Sequence, residues 1–585
     1  MSCQGCNRTT LGSVGAARPL DSHRGNFMAR SNTTELVFLP LGGVGEIGMN
    51  LAMYGFGPAD NREWLVVDMG VSFAGPEQPG ADLILPDIRY LEAEKHNLRG
   101  IVITHAHEDH FGALLDLWPH LKVPVYATPF TAGLLEAKRQ SEDGAPDIPI
   151  TIYKAGEKFE VGPFKIEAVA VTHSIPEPVS LALTTPLGTV VHTGDWKMDP
   201  EPSLGPVIDE ARFRAIGDAG VLALICDSTN ALREGESPSE RQVGESLREL
   251  IENARGRVAI TTFSSNVGRI RSITEAARDA GRQVLVVGRS MKRAISVATE
   301  LGYMEGLPEY LSEEDYGYIP RENVVMILTG SQGEPRAALA KLARDEMRSL
   351  ALTAGDTVIY SSRAIPGNEK AILDIKNRLI DRGIKIIGDE DALVHVSGHP
   401  RRSELRRMYS WVRPQILVPV HGEAAHLVAQ GSLGAMEGIE QVAQVRDGDM
   451  LRLAPGKAEI IDEAPVGRIY KDGKLIGDEE EIGMVERRKL AYVGHVAVSV
   501  LLDREHKIID EPDLVTFGVP EENAQGDLLE DILLDAAIEA IDSIPRVRRK
   551  DIELVRESVR RAVRAAANEA WGKKPVVTVF VNRIR

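Results

Sequence analysis

The run Thr104-His105-Ala106-His107-Glu108-Asp109-His110 places three of the chain's 14 histidines within six residues, where the apolar stretch GIVIT ends. In an extended segment, residues i and i+2 point the same way, so His105 and His107 present their imidazoles to one side. Asp109 and His110 are adjacent and must diverge, which suits a second ion beside the first. Imidazole mixed with carboxylate is a ligand set for a borderline-soft divalent cation such as Zn2+. A merely solvated polar loop would leave unexplained why an apolar strand is aimed into it. Four ligands do not complete a two-metal site. His173 closes FKIEAVAVT, Asp195 follows TVVHTG, and His421 follows ILVPV. Alone, each reads as a polar strand end. Together with the first cluster they read as ligands gathered where loops meet.

The elements that position them change rhythm along the chain. Residues 1–34, rich in Gly, Ser, Asn and Arg without periodicity, read as a disordered tail. Its Cys3 and Cys6 have metal-knuckle spacing but no second pair. From 35 to 235 short apolar strands follow one another with few helices. From 236 to 389 strands such as RVAITTF, QVLVVG, VVMILTG and TVIYSS alternate with helical stretches, which predicts a parallel, doubly wound unit. Short strands return over 390–454, so this unit reads as inserted. The polar stretch 455–487 reads as a linker, and 488–585 as a small C-terminal α/β domain.

Hydrophobic residues at 43% and charged residues at 26% describe an ordinary globular chain with a sizeable core. No apolar run approaches the roughly 18–20 residues of a membrane span. With no signal-peptide pattern in the first thirty residues and only three cysteines, the expectation is a reduced, cytoplasmic protein. The net charge of −18 argues against passive coating of nucleic acid, although the stretch 546–585 holds 12 Lys or Arg against 4 Asp or Glu. The Arg-rich stretch 553–564 reads as a solvated or subunit-facing helix surface. Gly43-Val-Gly45-Glu-Ile-Gly48, with Asp68 downstream, matches a dinucleotide fingerprint on paper. That fingerprint needs a helix after the glycines, and 49–56 reads as a strand, so the motif is expected to be a glycine turn. His192, Trp196 and Cys226 read as packed, inert groups.

H-x-H-x-D-H with a later His, Asp and His resembles the metallo-β-lactamase superfamily. Asp227 in CDSTN, the inserted α/β unit, HVSGH at 395–399 and His421 are similar to motifs A, B and C of its β-CASP nucleases. With GGVGEIG, TTFSSNVGR, LTGSQGEP and the C-terminal domain, the chain from about residue 35 onward resembles the bacterial ribonuclease J family. The resemblance implies an αββα metallo-β-lactamase sandwich, an inserted doubly wound β-CASP domain and a small C-terminal α/β domain. It implies two Zn2+ ions per subunit, with Mn2+ or Mg2+ as possible working metals. His105, His107 and His173 would hold one ion, and Asp109, His110 and His421 the other, with Asp195 bridging. Asp227 and His399 would handle protons. Ser264, Ser265 and Asn266, together with His395, Val396, Ser397, Gly398 and His399, would meet RNA phosphate; Ser264 to Asn266 also read as an ordinary helix cap.

The implied activity is 5′→3′ exonuclease and endonuclease action on single-stranded RNA, favouring a 5′-monophosphate. A two-metal hydroxide attack would leave 5′-phosphate ends. The setting would be rRNA maturation and mRNA decay, by a homodimer or homotetramer, with an RNA-degradation complex as a further partner. His at position 421 favours RNA over DNA, since DNA-directed members often carry Val there. The rival readings are a DNA nuclease on the same scaffold, a small-molecule hydrolase that would not need the inserted unit, and an RNA-binding scaffold protein.

Overall fold

The computed structural model describes residues 33–365 and 367–584; the tail reading and the Cys3–Cys6 pair fall almost wholly outside them. One sheet orders eight strands as Glu459–Glu463, Asp449–Ala454, Thr34–Gly42, Leu51–Pro58, Glu63–Val67, Leu98–Val102, Val125–Ala127 and Ile150–Ile152. A second orders seven, from Lys158–Val161 through Phe164–Ala170, Val179–Thr185, Gly188–His192, Val221–Asp227 and Pro414–Val420 to Gln441–Val442. The strand Thr34–Gly42 is apolar almost throughout because both its faces are covered. Leu36 and Phe38 pack toward Phe164, Leu181 and Val418 of the second sheet, whereas Val37 and Leu39 join Leu114, Leu117 and Phe130 on helices outside. The far face of the second sheet packs Leu224 and Val191 with Phe213, Leu405 and Met408 of the helices Glu210–Ala219 and Arg402–Val412. The result is the helix–sheet–sheet–helix sandwich expected.

Strand Val221–Asp227 pairs in parallel with Pro414–Val420, so the chain leaves this sheet after Asp227 and returns at Pro414. Between them lies an all-parallel five-stranded sheet, ordered Gln283–Val287, Val324–Leu328, Val258–Thr261, Thr357–Tyr360, Lys385–Ile387. Its strands alternate faces: Val258 and Ile260 pack with one set of helices and Ala259 with the other. The helix Arg289–Glu300 lies against Pro129–Arg139 of the sandwich, where a Cβ on Gly133 would come within 2.6 Å of Val297. The glycine motif is a turn, as expected: Val44–Gly45 pairs with Gly422–Glu423, and a strand follows at Leu51.

The stretch 455–487, expected as a linker, is instead folded onto the sandwich. Strand Glu459–Glu463 extends the eight-stranded sheet, while Arg468–Asp472 pairs with Leu83–Pro86. Lys471 Nζ reaches Asp116 at 2.8 Å and Glu142 at 3.4 Å. Glu459–Glu463 is an edge strand, and Arg468–Asp472, paired on both sides, buries only Tyr470, so their composition is polar and hides the pairing. Beyond it, a three-stranded sheet (Asp513–Phe517, His495–Leu502, Val576–Arg583) packs against helices Leu529–Asp542 and Ile552–Trp571. The second helix buries Val555, Val559, Val563 and Ala567, and Arg560 and Arg561 pair with Glu557 on its outer side. Arg556 Nε instead donates to Val579 O at 3.1 Å and Arg564 Nε is buried, so only part of its arginine face is solvated. Among the described residues no helix is long and apolar enough to cross a membrane.

Candidate metal centre

The candidate ligands stand just past strand C-terminal ends, on loops or, for Asp109 and His110, on one short helix. The 105–110 loop is held from below by residues 69–71. Met69 N donates to His110 O at 2.6 Å and Val71 N to Glu108 O at 3.0 Å. A Cβ on Gly70 would lie 1.7 Å from Asp109 O, so only glycine lets these backbones approach. His107 stays extended as the residue before the short helix Glu108–Phe111, and that helix turns Asp109 and His110 apart.

Three groups that could hold a metal ion result, all sharing Asp195: His105, His107 and His173; Asp109, His110 and His421; and Asp227 with His399. In the first, His107 Nδ1 lies 3.2 Å from His105 Nε2 and 2.9 Å from His173 Nε2, and Asp195 Oδ2 lies 3.8 and 3.7 Å from those two Nε2 atoms. In the second, Asp195 Oδ2 is 3.2 Å from His110 Nε2 and 3.6 Å from His421 Nε2, and Asp109 Oδ2 is 3.8 and 3.7 Å from the same nitrogens. Tetrahedral ligation at 2.0–2.1 Å puts ligand atoms about 3.3 Å apart, which these spacings approach. Asp195 Oδ1 and His421 Nε2 are buried without a hydrogen-bond partner, a costly state for polar atoms unless a cation satisfies them. Burial, reinforced by neighbouring imidazoles, holds His105 and His173 well below the usual histidine range and His107 at about 4. They are therefore neutral, as ligands must be. The donor set fits a pair of divalent ions.

The opposite ring nitrogens are fixed by hydrogen bonds. His110 Nδ1 donates to Asp68 Oδ2 at 2.7 Å, and His173 Nδ1 to Gly398 O at 2.7 Å. His105 Nδ1 lies 3.0 Å from Thr104 Oγ1, whose hydroxyl donates to Asp68 Oδ2 at 2.9 Å. Each bond turns Nε2 and its lone pair toward the site.

In the third group, beside the other two, His399 Nδ1 lies 2.8 Å from Asp227 Oδ2 and 3.9 Å from Asp195 Oδ2. Burial alone would lower His399, but the Asp227 and Asp195 carboxylates outweigh it and push it up to about 9. The 395–399 loop is pinned by Asn230, whose Nδ2 donates to Ser397 Oγ at 2.9 Å and His399 O at 3.0 Å. A Cβ on Gly398 would meet the His173 ring at 2.4 Å. Val396 is buried, and His395 is lowered to about 3 by burial and then by the Arg269 guanidinium. Ser264 and Ser265 are half-buried; Asn266 Oδ1 accepts from Arg269 N at 2.9 Å, the cap expected as one of its two readings. His192 bonds Tyr54 OH at 2.8 Å and Trp196 lies in the core. Burial pushes the Cys226 thiol up to about 12, leaving it unreactive at neutral pH.

Residues 255–379 match the family model of the ribonuclease J beta-CASP domain, and 482–584 that of the ribonuclease J C-terminal domain. Residues 63–213 match a beta-lactamase superfamily domain and 383–443 a Zn-dependent metallo-hydrolase RNA specificity domain. A ribonuclease J of Sinorhizobium meliloti is 65% identical over 550 residues, spanning 94% of this chain and 98% of that protein. The chain belongs to the ribonuclease J family. A ribonuclease J of Mycolicibacterium smegmatis is 37% identical over 93% of this chain and 96% of its own length. A crystal structure of a protein of unknown function from Enterococcus faecalis shares the fold, with TM-score 0.50 and 15% identity over 72% of this chain and 100% of that one.

Membership of the ribonuclease J family makes the protein one of the hydrolytic nucleases and agrees with a divalent-metal site. It does not reveal Asp68, which sequence reasoning met only as the acid of a discarded nucleotide motif. Asp68 lies 1% exposed at φ 64°, accepting from Thr104 N at 2.7 Å as well as from Thr104 Oγ1 and His110. A strained non-glycine residue at a strand end is tolerated where its side chain orients a site. The available signal was an acid closing the apolar strand WLVV, as His105 follows GIVIT. Asp68→Asn is expected to weaken metal binding about 10–100-fold, read by competition with a chelator; unaltered affinity would remove Asp68 from this role.

Proposed function

We propose that this protein hydrolyses single-stranded RNA at a centre for two Zn2+ ions, with Mn2+ or Mg2+ as alternatives, leaving 5′-phosphate ends by both 5′→3′ exonuclease and endonuclease action. The observation that carries the reading is Asp195 Oδ2 shared between two imidazole–carboxylate groups, with the Asp227–His399 pair beside them. Two bound divalent ions supply there an activated water and neutralise charge that builds on the phosphate. His105, His107 and His173 would hold one ion and Asp109, His110 and His421 the other. His399, held by Asp227 and protonated near neutrality, hands the Nε2 proton to the departing 3′-oxygen. The backbone N–H groups of 396–399, with Ser264, Ser265 and Asn266, receive the strand's phosphates. A terminal phosphate held at a fixed distance from the metals makes cleavage stepwise from the 5′ end. Family membership supports a setting of RNA maturation and mRNA decay in the cytoplasm, by a homodimer or homotetramer.

Product mapping tests this on one RNA carrying either a 5′-monophosphate or a 5′-triphosphate, with the wild type and His107→Ala. Mononucleotides are expected mainly from the monophosphate form, internal fragments from both, and neither from His107→Ala. Metal-dependent cleavage of DNA but not of RNA would overturn the reading.

A further inference from the structure

Arg233, Arg363 and Arg401 come from three separate loops that the fold gathers on the flank of the 395–399 loop. Asn230, three residues before Arg233, holds Ser397 and His399. Arg402 N donates to Arg233 O at 3.0 Å and Ser403 N to Gly235 O at 3.2 Å, laying 233–235 beside 402–403. Ser361, two residues before Arg363, donates to Val394 O at 2.6 Å. The guanidinium groups are close enough that Arg363 and Arg401 add to burial in lowering the proton affinity of Arg233, and Arg363 also acts on His395.

Like charges brought together in this way repel unless carboxylates intervene, and here most nearby carboxylates are taken. Glu234 pairs with Arg402 and Arg406, Glu236 with Arg407, and Glu437 with Arg406. Asp389 meets Arg363 at 3.3 Å and also acts on Arg233, without forming an ion pair with it. Among the described residues neither Arg233 nor Arg401 has an ion pair, and Arg401 Nε is buried without a hydrogen-bond partner. A chain with net charge −18 thus concentrates unpaired cations beside its metal centre. Arginine's planar fork is matched to phosphate oxygens.

We propose that Arg233, Arg363 and Arg401 form a second phosphate subsite, which holds a backbone phosphodiester of the RNA strand as it passes the 395–399 loop. This rests on RNA being the substrate, as proposed above. The subsite reads no base, so its contribution is uniform across sequences and strongly dependent on salt.

The test is the affinity of the full-length protein for a phosphorothioate-linked oligouridylate, which keeps one charge per linkage and resists cleavage, measured across a range of KCl. Arg233→Gln with Arg401→Gln is expected to flatten the slope of log K against log[salt] by about 1.4, at about 0.7 per lost contact with a single strand. Arg233→Lys with Arg401→Lys should restore the slope through charge alone, which separates a phosphate contact from a folding defect. Arg278→Gln with Arg344→Gln, two exposed arginines paired with Asp279 and Glu346, is the charge-matched control. A double Gln variant indistinguishable from that control would overturn the subsite and leave the RNA reading standing. A wild type without salt-dependent RNA binding would overturn both.

Discussion

Asp195→Asn is expected to strip metal from both ion positions and to lower kcat by about 10^4-fold or more, equivalent to roughly 5 kcal/mol of lost transition-state stabilisation. The reason is geometric. Asp195 Oδ2 lies within 3.9 Å of a ring nitrogen of His105, His110, His173, His399 and His421. Burial would raise its pKa, yet His110, His421 and His399 hold it well below the usual carboxylate range, so it is an anion at neutral pH. The amide has the same shape and none of the charge. Metal analysis and single-turnover rates check the result together, with circular dichroism confirming the fold. Retention of full metal content with more than a tenth of the activity would contradict the shared role.

The second large effect is on stability. Glu240, Arg269, Lys197 and Asp199 form a buried ionic network where the inserted unit meets the sandwich. Arg269 Nη2 lies 2.7 Å and Lys197 Nζ 3.3 Å from Glu240, and Lys197 Nζ lies 3.0 Å from Asp199. Arg269 is fully buried and also donates to Ser361 Oγ at 2.6 Å and Val394 O at 3.0 Å, tying the 264–266 turn to the 395–399 loop. Glu240→Ala leaves two cations with one carboxylate between them, and breaking such a network costs about 3–5 kcal/mol. A lower urea midpoint for the variant is the expected reading, with loss of RNA affinity as the 395–399 loop loosens. Burial would raise the Glu240 pKa, but Arg269 and Lys197 bring it to about 2 from 4.5. A depressed folded-state pKa contributes stability that is full above pH 4.5 and lost as pH falls through about 2. The wild-type excess over Glu240→Ala should therefore shrink in that window; an excess independent of pH there would mean that charge is not what Glu240 supplies.

The family resemblance read from the motifs is borne out, and the reasons lie in short-range periodicity. Alternation in FKIEAVA and the β-α rhythm over 236–389 are properties of two to twenty neighbouring residues, so strands, inserted unit and fold class were legible. The same holds for H-x-H-x-D-H, where a period of two and one short helix turn set the starting directions of four side chains, which Asp68 and residues 69–71 then fix. What escaped was set by partners distant along the chain. The stretch 455–487 reads as a linker because its strands are polar: Arg468–Asp472 buries only Tyr470, and its pairing with Leu83–Pro86 is set by a partner far back in the chain. Asp68 and Asn230 act through single side chains whose meaning depends on what packs against them.

By itself, then, the sequence determined which residue types could bind metal, that they end strands, and that an α/β unit interrupts the sandwich. Tertiary structure decided which nitrogen of each histidine faces the site, as Gly398 O does for His173 across 225 residues. It also decided that Arg269 spans two units and that three arginines share one flank. The physical division is one of range: backbone geometry fixes directions over a few residues, whereas hydrogen-bond partners and buried charges are chosen by packing, which no local pattern records.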